Sequence, residues 1–130
     1  MKMTPPNKPT TAELEILAAL WEHSPATVRE IYETINKRKP TKYTTVLKFM
    51  QIMFEKGLVE RDDSRKAHVF KAKQPRSETQ GNLVGDLLEK AFRGSALSLV
   101  QHVLETKPAS RADLDAIRQM IDEAEAKGVK

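Results

Sequence analysis

The segment from residue 41 to residue 72 constrains the fold of this chain more than any other part of its sequence. It begins with a polar and basic stretch, becomes amphipathic at Val46, and reaches a glycine at position 57. Two short runs with the composition of β-strands follow, separated by the charged turn 62–66. A helix that starts polar, ends at a glycine and leads into a two-stranded ribbon is the order of elements in a winged helix-turn-helix.

Composition excludes several classes of protein. The 130 residues, 39% hydrophobic and 31% charged, suit one domain or a small domain with an appendage. Without cysteine there are no disulfides, thiolate metal sites or cysteine nucleophiles. The three histidines are far apart in sequence and no glycine-rich phosphate loop occurs, so we predict no enzyme activity, metal or cofactor. No apolar run approaches the roughly 18 residues of a membrane span, and we expect a cytoplasmic protein.

Charge is distributed unevenly along the chain. Residues 1–76 contain 15 lysines and arginines against 9 acidic residues, whereas residues 77–130 contain 7 against 9. A basic front half and a mildly acidic back half are typical of a module that binds phosphates joined to a module that does not. The alternative is that the excess positive charge serves only solubility.

The helix signals divide the chain into a flexible leader at 1–9, a winged-helix domain at 10–75 and a helical region at 76–130. Capping boxes at Thr10 and Thr27 predict the first two helices. A third helix, capped by Thr41, runs to residue 56, with four side chains directed inward: Val46, Met50, Met53 and Phe54. Gly57 has the position of a left-handed C-cap.

The predicted strands cover residues 58–61 and 67–71, and Ser77, Ser95 and Ser110 are the predicted caps of three further helices. The predicted fold class is therefore mainly α with a small β-wing, that is, a winged helix-turn-helix followed by a helical region.

The third helix is the predicted DNA-reading element, because helix-turn-helix proteins contact bases with the N-terminal part of their second helix. The candidate residues lie before the apolar stripe or project from it: Lys42, Tyr43, Thr44, Thr45 and Lys48. Lysine and threonine bind phosphates or bases, and the Tyr43 hydroxyl suits a phosphate. The alternative is that residues 41–45 only cap a core helix.

Three further basic residues are candidate phosphate contacts. Arg65 and Lys66 lie at the predicted wing tip, and Lys39 lies in the basic linker before the third helix. Asp62 and Asp63 reduce the positive charge of the wing and could pair with those same basic residues. The linker charges could also be no more than a solvated helix end.

The back half is predicted to form a homodimer, since 54 residues in three amphipathic helices bury little surface alone. Its candidate interface residues are apolar: Leu83, Leu87, Leu88, Phe92, Leu97, Leu99, Val100, Val103 and Leu104. A symmetric dimer would match a palindromic operator in double-stranded DNA. The alternative is that these helices pack on the winged helix of their own chain.

The sequence resembles the penicillinase-repressor (BlaI/MecI) family of bacterial regulators over nearly its whole length. The matching segments are residues 11–17 through Trp21, 27–31, 43–47, 55–59, 68–70 and 94–100. The resemblance implies a homodimeric winged-helix repressor of promoters, often of β-lactamase or resistance genes, at dyad operators.

The family also implies a route of inactivation. Repressors of this family are commonly cleaved in the dimerisation region by a protease, and the matching position here is His102-Val103. The Asn-Phe pair of the staphylococcal-type members is absent, and without cysteine the sensor of the copper-responsive branch cannot operate. The rival hypothesis is a winged-helix module that binds protein and not DNA, which would not need the basic residues 37–42.

Overall fold

The computed structural model describes residues 8–128, which form six helices and two strands. Residues 1–7 of the predicted leader lie outside this described part. The elements are α1 Thr11–Glu22, α2 Val28–Arg38, α3 Tyr43–Lys56, β1 Val59–Asp62, β2 Val69–Ala72, α4 Arg76–Phe92, α5 Ala96–Thr106 and α6 Arg111–Lys127. The predicted class, mainly helical with a two-stranded wing, is confirmed. The chain divides into two compact units between Val84 and Gly85, within α4.

Capping boxes start the first two helices as the sequence predicts. At α1 the Thr10 hydroxyl accepts a hydrogen bond from the Glu13 backbone N–H at 3.3 Å, and the Glu13 carboxylate accepts one from the Thr10 N–H at 2.9 Å. Thr27 and Glu30 form the same reciprocal pair at α2, at 3.1 and 2.8 Å. Each box satisfies two N–H groups that the helix itself leaves without partners.

The start of α3 differs from the prediction. Its N-cap is Lys42, whose side chain makes no capping hydrogen bond, so the predicted cap at Thr41 is wrong. Thr41 lies one residue before this N-cap, in the α2–α3 loop, where its N–H donates to the side-chain oxygen of Asn36 at 3.0 Å and ties the loop to the end of α2. The predicted end is confirmed, because Gly57 adopts φ 80° and the Leu58 N–H donates to the Met53 carbonyl at 2.9 Å.

The hydrophobic core of the first unit joins α1, α2, α3 and the wing. Its buried side chains include Ile16, Leu17, Leu20, Ile31, Val46, Met50, Met53, Val59 and Phe70. Three of the four side chains predicted to point inward from α3 are therefore buried, but Phe54 is 39% exposed and that prediction is wrong. The guanidinium of Arg61 lies 4.3 Å from the centre of the Phe54 ring, so a wing side chain covers this ring.

The wing is a two-stranded antiparallel ribbon fastened to the helices. Val59 lies opposite Ala72, and both strands begin one or two residues later than predicted. Phe70 of β2 exchanges both backbone hydrogen bonds with Ala26 in the α1–α2 loop, at 2.9 and 2.7 Å. This bridge, which the sequence did not predict, fixes the base of the wing against the helix-turn-helix.

An ion pair connects the start of α1 with the end of α3. The Lys56 ammonium lies 2.7 Å from a carboxylate oxygen of Glu13 and also donates to the Lys8 carbonyl at 3.2 Å. Glu13 is buried, with 2% of its surface exposed. Burial opposes ionisation of Glu13, but the hydrogen bonds from Lys56 and Thr10 and the Lys56 charge outweigh it, so its pKa is lowered.

The start of α4 also differs from the prediction. The helix begins at Arg76, and its first turn uses the Pro75 carbonyl, which accepts from the N–H groups of Glu78 and Thr79. The predicted cap at Ser77 is therefore wrong, since Ser77 lies inside the helix. The predicted stop at Gly94 is confirmed by its φ of 83°.

Serine hydroxyls cap α5 and α6 as predicted. Ser95 accepts from the Ser98 N–H at 3.1 Å, and Ser110 accepts from the Asp113 N–H at 3.0 Å. Among the described residues that follow Thr79, however, no side chain is buried. The second unit therefore has well-formed helices without a buried core of its own.

Candidate nucleic-acid interface

The first turns of α3 present polar side chains to solvent. Lys42, Thr44, Thr45 and Lys48 are exposed, and Val46 is the first fully buried residue of the helix. Hydroxyl and ammonium groups are the donors that bind phosphate oxygens and base edges. The structure therefore places four of the predicted contact residues where a DNA groove could receive them.

Tyr43 differs from its neighbours because it is half-buried. Its ring packs edge-to-face on Tyr32 of α2, with the centroids 5.7 Å apart and the planes at 76°. The guanidinium carbon of Arg29 lies 4.7 Å from the Tyr43 centroid and 5.5 Å from the Tyr32 centroid. Tyr43 thus belongs to a cluster of two rings and one cation, which the sequence pattern does not reveal.

Lys39 and the wing-tip residues lie outside α3. Lys39 is the exposed C-cap of α2, where its backbone N–H donates to the Ile35 carbonyl at 3.0 Å. Arg65 and Lys66 are exposed in the loop between β1 and β2. Lys39 and Thr45 border one shallow pocket of about 150 Å³, whereas Lys66 and Tyr43 border a different groove.

The two wing aspartates have different partners. Asp63 pairs with the Nε of Arg61 at 2.7 Å and lies 3.6 Å from the Nδ1 of His68. Asp62 accepts a hydrogen bond from the Ser64 N–H at 2.9 Å. Hydrogen bonding by Ser64, with a smaller contribution from the Arg65 charge, lowers the pKa of Asp62. Among the described residues, no ion pair links either aspartate to Lys66.

The groove shared by Tyr43 and Lys66 runs between the helices and the wing and has a volume of about 440 Å³. Its basic side chains are Arg29, Arg61, Lys66 and His68, and its apolar wall includes Leu47. Sequence reasoning found Lys66 but missed Arg29 and Arg61. The i, i+3 spacing of Arg29 and Tyr32 was a local signal for one contact, but only tertiary packing adds Tyr43.

The predicted dimerisation residues lie on α4 and α5, and many of them are exposed. Leu97 is 81% exposed, Val103 58%, Val100 47%, Leu87 46% and Leu104 41%, and the other four are half-buried: Leu83, Leu88, Phe92 and Leu99. The Phe92 ring packs on His102 with the centroids 5.5 Å apart. His102 and Val103, the predicted proteolysis position, are exposed in the middle of α5.

Membrane spans and metal clusters are both absent from residues 8–128. No helix in this range is long and apolar enough to cross a membrane. No group of three or more histidine, aspartate or glutamate side chains in the same range is placed to hold a metal ion.

The sequence of this chain is similar to those of known repressors. The family described as "Penicillinase repressor" matches residues 9–123. The "Transcriptional regulator BlaI" of Mycobacterium tuberculosis is 32% identical over 116 residues, which are 88% of this chain and 83% of that protein. The "Methicillin resistance regulatory protein MecI" of Staphylococcus aureus is 20% identical over 113 residues, 87% of this chain and 92% of that one.

A solved structure shows the same fold for the front half. The solution structure of the DNA-binding domain of the repressor BlaI superposes with a TM-score of 0.50 at 22% identity, and covers 60% of this chain and 93% of that domain. The winged-helix prediction is confirmed by this likeness.

Proposed function

The chain belongs to the penicillinase repressor family and is a DNA-binding transcriptional repressor, not an enzyme; we propose that it acts as a homodimer on dyad operators in the cytoplasm. We propose further that the repressed genes include β-lactamase, resistance or related genes, as the names of its relatives suggest. The single observation that carries the DNA-binding assignment is the exposed polar and basic first turn of α3 beside a cationic wing.

The contact residues divide by chemistry. We assign Thr44, Thr45 and Lys48 to the major groove, because their side chains project from one exposed face of α3. Lys39 and Arg65 lie at the flanks, where they would meet phosphates and carry little sequence information. Lys42 at the N-cap of α3 is close enough to the helix end to serve either role.

Exposed apolar side chains support the homodimer. Leu97, Val100 and Leu104 follow i, i+3, i+7 spacing, so they form a stripe along α5, and each is more than 40% exposed. A second copy of the chain would cover this stripe and supply the core that the second unit lacks. Two copies would also present two α3 helices to the two halves of a dyad.

The test of DNA binding is selection of genomic fragments by the purified full-length protein, followed by titration of the best fragment across a salt series. We expect a short dyad sequence whose affinity falls steeply with salt, because binding releases counterions from the phosphates. If the protein is folded and dimeric but enriches no sequence, the alternative of a protein-binding winged helix replaces this proposal. Lys42→Ala and Lys48→Ala would then leave partner binding intact.

The test of the dimer is sedimentation velocity of Val100→Glu beside the matched control Gln101→Glu. Both variants add one negative charge to α5, but Gln101 is polar and exposed. We expect Val100→Glu to sediment as a monomer, since a buried unpaired charge opposes association, and Gln101→Glu to remain a dimer. A dimeric Val100→Glu would place the interface elsewhere.

We also propose that a protease relieves repression by cleaving between His102 and Val103. Cleavage there would divide the exposed stripe of α5, leaving Leu97 and Val100 on one fragment and Leu104 on the other. Because the bond lies within a helix, the protease must act on locally unfolded chain. Mass spectrometry of the protein from β-lactam-treated cells should find a fragment that begins at Val103, and an intact chain in derepressed cells would reject this route.

A further inference from the structure

The groove between the helices and the wing contains no acidic residue in its lining, although acidic residues are common elsewhere on this unit. Arg29, Arg61, Lys66 and His68 all border it. Three other grooves on the same unit each include at least one glutamate. Asp63 lies outside the lining, where it contacts Arg61 and His68. A groove whose lining holds cations and no carboxylate favours a polyanion.

The cations of this groove are not equivalent. Arg61 already pairs with Asp63 at 2.7 Å and covers the Phe54 ring, so part of its charge is compensated. Arg29 is exposed, and none of the ion pairs within residues 8–128 includes it. Arg29 on the helix side and Lys66 on the wing side are therefore the two cations with uncompensated charge.

Arg29 is held in place by aromatic rings instead of by an acid. Its guanidinium lies within the range of cation–π attraction of both Tyr43 and Tyr32, at 4.7 and 5.5 Å from the ring centroids. Stacking occupies the face of a guanidinium and leaves its N–H edge free to donate two hydrogen bonds to a phosphate. A lysine ammonium at this position would keep the charge but could not combine these two contacts.

We propose that this groove binds the phosphodiester backbone of the DNA strand beside the segment read by α3, with Arg29 as the anchoring cation. Tyr32 and Tyr43 are positioning residues that order the Arg29 side chain before DNA binds. Tyr43 then contributes to DNA binding mainly through its ring, which orders Arg29, and not through its hydroxyl. This inference rests on the proposed DNA-binding function and adds to it a contact on α2 and a reason for the two tyrosines.

The test uses the full chain and a fluorescein-labelled duplex of mixed sequence, about 30 base pairs long, titrated by anisotropy in about 50 to 300 mM KCl. Arg29→Met should weaken binding by roughly tenfold or more at low salt. It should also reduce the slope of log affinity against log salt by about 0.9 for each phosphate that the protein no longer neutralises. Lys107→Met, which removes an exposed cation at the C-cap of α5, is the matched control and should change neither quantity.

Two further variants separate stacking from charge. Arg29→Lys should keep the salt slope of the wild type and lose affinity, because it retains the cation without the planar guanidinium. Tyr32→Leu should weaken binding in the wild-type chain and cause no additional loss in the Arg29→Met chain, whereas Tyr32→Phe should bind normally. Tyr43→Phe should also bind normally, since it keeps the ring.

The outcomes distinguish this inference from the function on which it rests. If the wild-type chain binds neither this duplex nor any selected fragment, the proposed function fails. If the wild type binds and Arg29→Met keeps its affinity and salt slope, with circular dichroism showing a folded variant, the groove is not a phosphate site. If the losses from Tyr32→Leu and Arg29→Met add together, the rings act independently of Arg29 and the positioning role is wrong.

Discussion

Replacement of Glu13 by glutamine tests how the helix-turn-helix is held together. Glutamine has nearly the same volume, and its oxygen can still accept from the Thr10 N–H, so the main change is loss of the charge that faces Lys56 at 2.7 Å. Removal of one partner from a fully buried pair costs about 3–5 kcal/mol. In the variant the Lys56 side chain would still be 17% exposed to water and would still donate to the Lys8 carbonyl. Because these contacts partly solvate its charge, we expect a smaller destabilisation of about 2 kcal/mol.

Thermal unfolding by circular dichroism, at one fixed protein concentration, measures this destabilisation. About 2 kcal/mol corresponds to a fall in Tm of about 8–16 °C for a unit of this size. The control is Glu15→Gln, an exposed carboxylate two residues away on the same helix, which should melt within a few degrees of the wild type.

The pH dependence of this difference provides a second test. Because the pKa of Glu13 is lowered in the folded chain, its ionised form stabilises the fold above the ordinary value of 4.5. This contribution is lost as the pH falls through the folded-state pKa. The difference in Tm between the wild type and Glu13→Gln should therefore be constant near neutral pH and shrink below about pH 4.5. Equal melting at pH 7, or a difference that persists undiminished in acid, would refute the reasoning.

Three other substitutions have expected outcomes. Gly57→Ala should lower the free energy of unfolding, measured by urea titration, by about 1–2 kcal/mol. The reason is backbone strain at φ 80°, because an added Cβ meets no atom closer than 4.0 Å. An unchanged free energy of unfolding would contradict this expectation. Thr27→Ala should lower the free energy of unfolding by about 1 kcal/mol in the same titration, because it removes the N-cap of α2. Thr27→Ser keeps the capping hydroxyl and should leave it unchanged. Asp63→Asn should tighten binding to the labelled duplex and steepen its salt dependence by freeing Arg61, whereas unchanged binding would show that Arg61 does not face DNA.

Local chemistry explains which elements were predictable. The capping boxes at Thr10 and Thr27 involve residues three positions apart, and the left-handed conformation at Gly57 depends on the absence of a side chain there. These signals act within one turn of helix, so they do not depend on what packs against them. The exposed first turn of α3 follows from the same kind of local pattern, because its apolar stripe begins only at Val46.

The wrong predictions concern residues whose surroundings include contacts that the local sequence pattern does not report. Thr41 does not cap α3 because it lies in the α2–α3 loop, where its N–H donates to the side chain of Asn36, five residues earlier. Phe54 lies outside the core, 39% exposed, and its ring contacts the guanidinium of Arg61 in the wing. Ser77 does not cap α4 because the helix begins at Arg76, two residues earlier than a cap at Ser77 implies, and its first turn uses the Pro75 carbonyl. In each case the structure shows a contact with another residue that the local pattern did not include.

The sequence alone determined the order of the elements, the exposed polar start of α3 and the apolar character of α5, since each follows from helix and strand periodicity. Tertiary structure decided the composition of the candidate interface. Arg29, Tyr43 and Lys66 are separated by 14 and 23 positions, and they share one groove only because α2 packs on α3 and Phe70 fastens the wing to Ala26. Periodicity reports which face of an element is apolar, but it contains no information about which residue of another element will lie opposite.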